Sequence, residues 1–67
     1  MKSEIILFFE RNPIRSYETE DIYINRITEI AISEKLDLMG FFSTLNDKFP
    51  QRWKLIAELS DKQLDNK

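Results

Sequence analysis

The chain has 67 residues, a formal net charge of −2, and neither cysteine nor histidine. A single core of this length stabilises a fold by only about 3–5 kcal/mol, so small proteins usually add disulfides, a metal or a partner. Without Cys and His, disulfides are excluded and a zinc site would have to consist of carboxylates alone. We therefore expect one small domain that is reinforced by a partner protein, with self-association as the other route.

The composition also narrows the chemistry. Without His, no side chain titrates near neutrality at its ordinary pKa, and without Cys there is no thiolate nucleophile. The single glycine, Gly40, cannot form a phosphate-cradling loop. We therefore predict a protein that is not an enzyme, with no catalytic residue, no cofactor and no metal site.

The charge balance and the apolar runs bear on partners and location. A net charge of −2 argues against a nucleic-acid binder that depends on phosphate neutralisation. The longest apolar run, residues 5–9, is too short to span a bilayer. We expect a soluble protein of the bacterial or host-cell cytoplasm, with no membrane partner.

The first segment covers residues 4–10, with Ser3 as a candidate N-cap. It is apolar throughout residues 5–9, so periodicity does not distinguish a helix from a strand. A lone strand would lack a pairing partner, which favours a short helix. Asn12-Pro13 ends it, because the residue before proline disfavours helical geometry, and residues 11–19 read as a connecting loop.

The second segment covers about residues 20–34. Thr19 can cap it, and the acidic residues at positions 20 and 21 suit the positive end of the helix dipole. Ile22 and Ile32 project from the side opposite to its main apolar stripe. That stripe consists of Tyr23, Ile24, Ile27, Ile30 and Ala31.

The third segment covers about residues 38–48, with Asp37 as N-cap and Leu36 placed to pack on Phe41. Leu36 and Asp37 lie in the short connection to the second segment, so the two helices should form a corner or hairpin. Its predicted inner face consists of Leu38, Phe41, Phe42, Leu45 and Phe49.

The fourth segment starts at Pro50, which suits the first helical position. Leu55 and Leu59 lie nearly opposite its predicted inner face. Residues 60–63 have capping-box spacing, which could start a last short turn. The predicted inner face consists of Trp53, Ile56 and Ala57.

Together these segments predict an all-α domain over residues 1–67, with three to four helices in an orthogonal or bundle-like arrangement. Residues 1–19 form the N-terminal segment and loop, residues 20–64 the helical core, and residues 65–67 a disordered tail.

The apolar residues outside the main stripes are candidates for partner binding. A two-layer helical domain needs one apolar stripe per helix, so the others either pack under the first segment or form an exposed interaction patch. Trp53 is the best single anchor, because an indole needs a place for its N–H group. The predicted partner-binding residues are Ile22, Ile32, Trp53, Leu55 and Leu59.

Three basic residues surround the turn between the third and fourth segments. A helix-turn-helix DNA reader places basic and amide side chains at the start of its second helix. Acidic neighbours, among them Asp47 and Glu58, dilute the positive field, and a solvated surface is the simpler interpretation. The candidate nucleic-acid contacts are Lys48, Arg52 and Lys54.

A longer pattern runs from an Ile-x-x-Ile-Ala stripe through Lys-Leu and an apolar helix to Ala-x-Leu. In this pattern the chain resembles the small late-transcription coactivators of tailed phages, over about half of its length. Leu38 stands where that family has an aromatic residue, and Gly40 where it has an acidic one. The matching residues are Ile27, Ile30, Ala31, Lys35, Leu36, Met39, Phe42, Leu45, Ile56, Ala57 and Leu59.

The resemblance implies binding to the β-flap of the host RNA polymerase. Members of the family also contact the sliding clamp through a short hydrophobic C-terminal motif, which residues 63–67 do not match. We therefore predict a non-catalytic protein-binding module, a phage-type transcription coactivator that binds RNA polymerase. The alternatives are a phage or plasmid inhibitor that occludes a host enzyme, and a small helix-turn-helix DNA-binding regulator.

Overall fold

The computed structural model describes residues 3–64, which form an all-α fold of four helices and contain no strand. None of the helices within this range is long and apolar enough to cross a membrane. The helices are α1 (Glu4–Arg11), α2 (Glu20–Ser33), α3 (Leu38–Lys48) and α4 (Trp53–Leu64), with a 3₁₀ turn at Pro50–Arg52 before α4.

Side-chain caps fix the starts of the first two helices. The Ser3 hydroxyl accepts a hydrogen bond from the Ile6 amide at 3.2 Å, and the Thr19 hydroxyl accepts one from the Ile22 amide at the same distance. Each cap satisfies a backbone donor that the first helical turn leaves unpaired. The first segment is therefore a helix, as predicted. Asp37 precedes α3 with extended backbone angles but forms no side-chain cap hydrogen bond.

All four helices contribute to the core, which is rich in phenylalanine. Phe41 is fully buried, and its ring lies 5.7 Å from that of Phe8, 5.6 Å from that of Phe9 and 5.2 Å from that of Phe42. These contacts attach α1 to α3. The predicted inner faces of the second and third segments are confirmed by burial, because their residues are buried in the cluster or partly buried against it. The buried apolar cluster consists of Phe8, Phe9, Tyr23, Ile24, Ile27, Ala31, Phe41, Phe42, Leu45 and Ile56.

A close approach between α1 and α3 depends on the only glycine. A Cβ atom at Gly40 would lie 2.5 Å from the Cδ1 atom of Ile5. Since non-bonded carbon atoms prefer separations of about 3.5–4.0 Å, a larger residue at position 40 would displace the Ile5 side chain. The glycine therefore lets α1 settle onto the first turn of α3.

The corner between α2 and α3 is held by the backbone. The Leu36 amide donates to the Ala31 carbonyl at 3.0 Å, and the Lys35 amide donates to the Ile32 carbonyl at 3.1 Å. This pair of bonds is the Schellman motif, which usually has glycine in the left-handed position. Here that position is Lys35, with φ of 58°. The corner predicted from the short connection is present, with a lysine where glycine would be less strained.

The orientation of α4 differs from the prediction. Ile56 is buried as expected, but Trp53 and Ala57 are exposed, while Leu55 and Leu59 pack against the core cluster. The two leucines carry no polar side-chain atom, whereas the indole N–H of Trp53 needs a hydrogen-bond partner, which water supplies at an exposed position. The helix is also continuous to Leu64, so residues 60–63 do not start a separate turn. The predicted tail, residues 65–67, lies outside the described range.

Candidate partner-binding surface

The loop of residues 12–19 is held to α2 by a bidentate ion pair. Arg26 donates from Nε to one Glu18 carboxylate oxygen at 2.6 Å and from Nη2 to the other at 2.8 Å. The Glu18 side chain is only 2% exposed. These hydrogen bonds lower the pKa of Glu18 from 4.5 to about 2, because they stabilise the charged form. Glu18 therefore stays ionised across the physiological pH range.

Further hydrogen bonds order the same loop. Arg26 also donates to the Pro13 carbonyl at 3.1 Å, and the Arg15 amide donates to Glu18 at 2.8 Å. The Tyr23 hydroxyl donates to the Asn12 carbonyl, and burial raises the pKa of this phenol. The loop thus has a defined shape before any partner arrives.

The ordered loop presents apolar side chains to solvent. Tyr17 is 75% exposed and Ile14 is also exposed. The Arg15 guanidinium donates to the Tyr17 hydroxyl at 3.1 Å, which orients the phenol. A rigid loop that carries exposed aromatic and aliphatic groups is typical of a recognition surface.

A second group of ion pairs joins the first turn of α2 to the turn before α4. The Nε atom of Arg52 lies 3.2 Å from a Glu20 carboxylate oxygen and 3.0 Å from one of Asp21. Ile22 and Trp53 are each one residue away from this bridge, and they are 55% and 57% exposed. We call Ile22, Trp53 and the Arg52–Glu20–Asp21 bridge the α2-start surface.

A shallow groove adjoins the α2-start surface through Glu20. Its volume is about 190 Å³. Phe49 lies in its lining and contacts the Tyr23 ring at 5.8 Å, so an apolar wall links the groove to the core. The lining residues are Glu20, Lys48, Phe49, Pro50 and Gln51. Such a groove can accept an apolar side chain between one acidic and one basic group.

Two of the five predicted partner-binding residues, Ile22 and Trp53, are exposed and adjoin in sequence the residues of the Arg52 bridge. Ile32 is half-buried and lies ten residues further along α2, about 15 Å away at the helical rise. Leu55 and Leu59 are half-buried against the core cluster, so they do not form an exposed patch.

The three candidate nucleic-acid contacts are all engaged within the chain. Arg52 pairs with two carboxylates, as described above. The Lys48 ammonium lies 5.1 Å from the centre of the Phe9 ring, and that of Lys54 lies 5.6 Å from the centre of the Trp53 ring. These are cation–π distances. The basic turn is therefore partly neutralised before any phosphate could approach it.

The sequence did not identify the loop of residues 12–19, which exposes Ile14 and Tyr17, as part of a candidate binding surface. Residues 11–19 read only as a connection, although Ile14 and Tyr17 are large apolar residues in a loop and were a detectable signal. The Glu18–Arg26 pair had no such signal, because helical periodicity does not relate a loop carboxylate to a guanidinium eight residues later.

In comparisons with known proteins, no family model, no curated protein and no solved structure matches this chain.

Proposed function

We propose that this protein is a non-catalytic protein-binding module that docks through its α2-start surface. One observation carries the proposal, namely that Ile22 and Trp53 are both more than half exposed beside the Arg52 bridge. Tryptophan and arginine are the residues that most often dominate binding energy at protein interfaces. Trp53 is the principal anchor, and Ile22 extends the apolar contact.

The framework around these residues supports docking without large rearrangement. Thr19 caps α2 next to Ile22, and the Arg52 bridge ties the start of α4 to the start of α2. A surface that is ordered before binding loses less conformational entropy on association. The groove beside Glu20 offers a place for an apolar side chain of the partner.

The proposed partner is a bacterial RNA polymerase, and the proposed role is that of a phage-type transcription coactivator in the host-cell cytoplasm. The support for this partner is the resemblance that runs from Ile27 to Leu59. The engagement of Arg52 with Glu20 and Asp21 supports a protein partner over DNA, because it removes a cation from the basic turn.

The test is a binding assay between the immobilised protein and purified bacterial RNA polymerase core enzyme. The double variant Ile22→Ser/Trp53→Ser should weaken binding at least about tenfold, since truncation of interface hot spots costs about 2 kcal/mol or more. The matched control is Ile6→Ser, which removes an exposed isoleucine from α1. It should bind as the wild type does.

Two results would overturn different parts of the proposal. If the wild-type protein does not bind polymerase, the partner is wrong, and capture from bacterial lysate would then look for an inhibited host enzyme. If polymerase binds the double variant as well as the wild type, the α2-start surface is wrong. Thermal melting of each variant shows whether a loss of binding is a loss of fold.

A further inference from the structure

The outer face of α1 carries an exposed leucine between two opposite charges. Glu4, Leu7 and Arg11 follow the i, i+3, i+7 spacing, which places them on one face of the helix. Leu7 is 44% exposed. We call these three residues the α1 stripe.

A groove runs alongside the α1 stripe. It lies between α1 and the α2–α3 corner and has a volume of about 310 Å³. All three stripe residues line it, together with Glu34 and the half-buried Leu36. The exposed leucine therefore lies beside a recess in which Leu36 is the apolar neighbour and three charged side chains form the rest of the lining.

The charges of the α1 stripe are arranged symmetrically about its leucine. Glu4 and Arg11 are separated by seven residues, about 10.5 Å at the helical rise, and Leu7 lies within about 1 Å of their midpoint along the axis. If two such helices pack antiparallel, Glu4 of one faces Arg11 of the other at both ends. A parallel arrangement would place like charges opposite each other.

We propose that the α1 stripe is a self-association surface, on which α1 of a second copy packs antiparallel about a two-fold axis beside Leu7. A two-fold interface requires a patch that is complementary to itself. The stripe meets this requirement, with an apolar residue close to its centre and one charge of each sign on either side. Leu7 of each copy packs against its symmetry mate and into the recess formed by Leu36.

The present contacts of the stripe are compatible with this packing. Arg11 lies 3.3 Å from a Glu34 carboxylate oxygen in an exposed ion pair. A guanidinium has five N–H donors, so it can bind Glu34 and a second carboxylate together. The other side of α1 is fixed by Phe8 and Phe9 in the core, so the stripe does not need to move.

The expected association is weak. Two leucines and two exposed ion pairs per dimer make a contact well below the size of a standard interface. In a concentration series from about 10 μM to about 1 mM, a substantial fraction of the chains should therefore be dimeric only towards the upper end.

Sedimentation equilibrium over that series tests the proposal. The weight-average mass of the wild type should rise from 8.1 kDa towards twice that value. Leu7→Asp should remove the rise, while the control Tyr17→Ser, at another exposed apolar side chain, should keep it. A wild-type mass that stays at 8.1 kDa throughout, or an unchanged rise in Leu7→Asp, overturns the proposal.

Charge exchange tests the antiparallel geometry. Glu4→Arg and Arg11→Glu should each reduce the rise in mass, because each places like charges opposite one another. The double variant Glu4→Arg/Arg11→Glu, made together with Glu34→Lys so that position 11 keeps an opposite charge within its own chain, should restore it, since the exchanged pair is again complementary. Circular dichroism checks that all three keep their helices. If both single variants disrupt association and the double variant does not restore it, the proposed packing is wrong.

Discussion

The aromatic interior and the start of α2 hold the chain together in different ways. In the interior, Phe41 contacts three other phenylalanine rings. The Arg11 guanidinium and the Lys48 ammonium also lie 6.0 Å and 5.1 Å from the centres of two of these rings, and neither contact depends on an ionised carboxylate. At the start of α2, Arg26 binds Glu18, and Arg52 binds Glu20 and Asp21. The aromatic interior attaches α1 to α3. The ion pairs attach the loop of residues 12–19 to α2, and the start of α2 to the turn before α4.

Because of this difference, the two regions should respond differently to pH and to salt concentration. Apolar burial is non-directional and does not depend on pH. Ion pairs lose strength when a partner is protonated or when salt screens the charges. The attachment of α1 should therefore survive acid and salt, whereas the loop and the start of α4 should loosen. The exposed residues Ile22 and Trp53 lie in the region that ion pairs hold, which is the region expected to respond to acid and salt.

The largest effect is expected for Phe41→Ala. Truncation of a buried phenylalanine costs about 3–5 kcal/mol, which equals the whole stability expected for a core of this size. Phe41 is fully buried and lies at the centre of the ring contacts. The variant should be largely unfolded at 25 °C by circular dichroism.

The matched control for this prediction is Tyr17→Ala, which removes an aromatic ring of similar size from an exposed position. It should keep the wild-type melting temperature to within a few degrees, since surface changes are usually within about 0.5 kcal/mol. A cooperative melt of Phe41→Ala near that of the wild type would show that the aromatic interior does not dominate stability.

The sequence predicted the interior better than the surface, for a physical reason. In α2, Ile24, Ile27 and Ala31 repeat at the helical period, and in a helix with one apolar stripe this period indicates which face is buried. The caps at Ser3 and Thr19 were also predictable, because capping depends on residues close together in sequence.

The candidate surface was predicted only in part. Ile22 was identified as lying off the main stripe and Trp53 as a candidate anchor, and both are exposed. In α4, however, periodicity allowed two inner faces, and the choice between them depended on the neighbouring helices. The Arg52 bridge to the start of α2 joins residues 31 or more apart, which no local pattern encodes.

The second prediction concerns acid. Glu18 has its pKa lowered from 4.5 to about 2 in the folded chain. The stabilisation from its ion pair is therefore complete above the unfolded-state pKa and is lost as the pH falls from about 4.5 through about 2. Nuclear magnetic resonance should show the loop signals of residues 12–19 shifting in this range while those of Phe41 change little.

Glu18→Gln provides the control for the acid titration, because it removes the titrating carboxylate and keeps a similar shape. Its loop should already be loosened at neutral pH and should show no transition between pH 4.5 and about 2. If the wild-type loop shifts only together with global unfolding, the two regions are not independent.

The third prediction is a gain in stability for Lys35→Gly. Lys35 has φ of 58° in the α2–α3 corner, a conformation that costs an L-residue about 1–2 kcal/mol and costs glycine little. Part of this gain is offset by the greater freedom of glycine in the unfolded chain. The expected net gain is about 0.5–1 kcal/mol by urea denaturation.

Lys35→Ala is the matched control, because it removes the same charge but keeps a Cβ atom in the left-handed conformation. It should not be more stable than the wild type. An equal gain for alanine and glycine would mean that the lysine side chain, and not the backbone conformation, limits stability at this corner.

The smallest effect is expected for Arg52→Ala, at the bridge beside the recognition residues. Its side chain and both of its carboxylate partners are substantially exposed, and exposed ion pairs contribute about 0–1 kcal/mol. The variant should melt slightly below the wild type at low salt, and the difference should vanish near 1 M NaCl, where the screening length is about 3 Å.

Lys54→Ala is the control, since Lys54 forms no ion pair within residues 3–64 and contacts the Trp53 ring instead. A deficit for Arg52→Ala that persists in 1 M salt would mean that packing of the arginine stem, and not its charge, joins α4 to the start of α2.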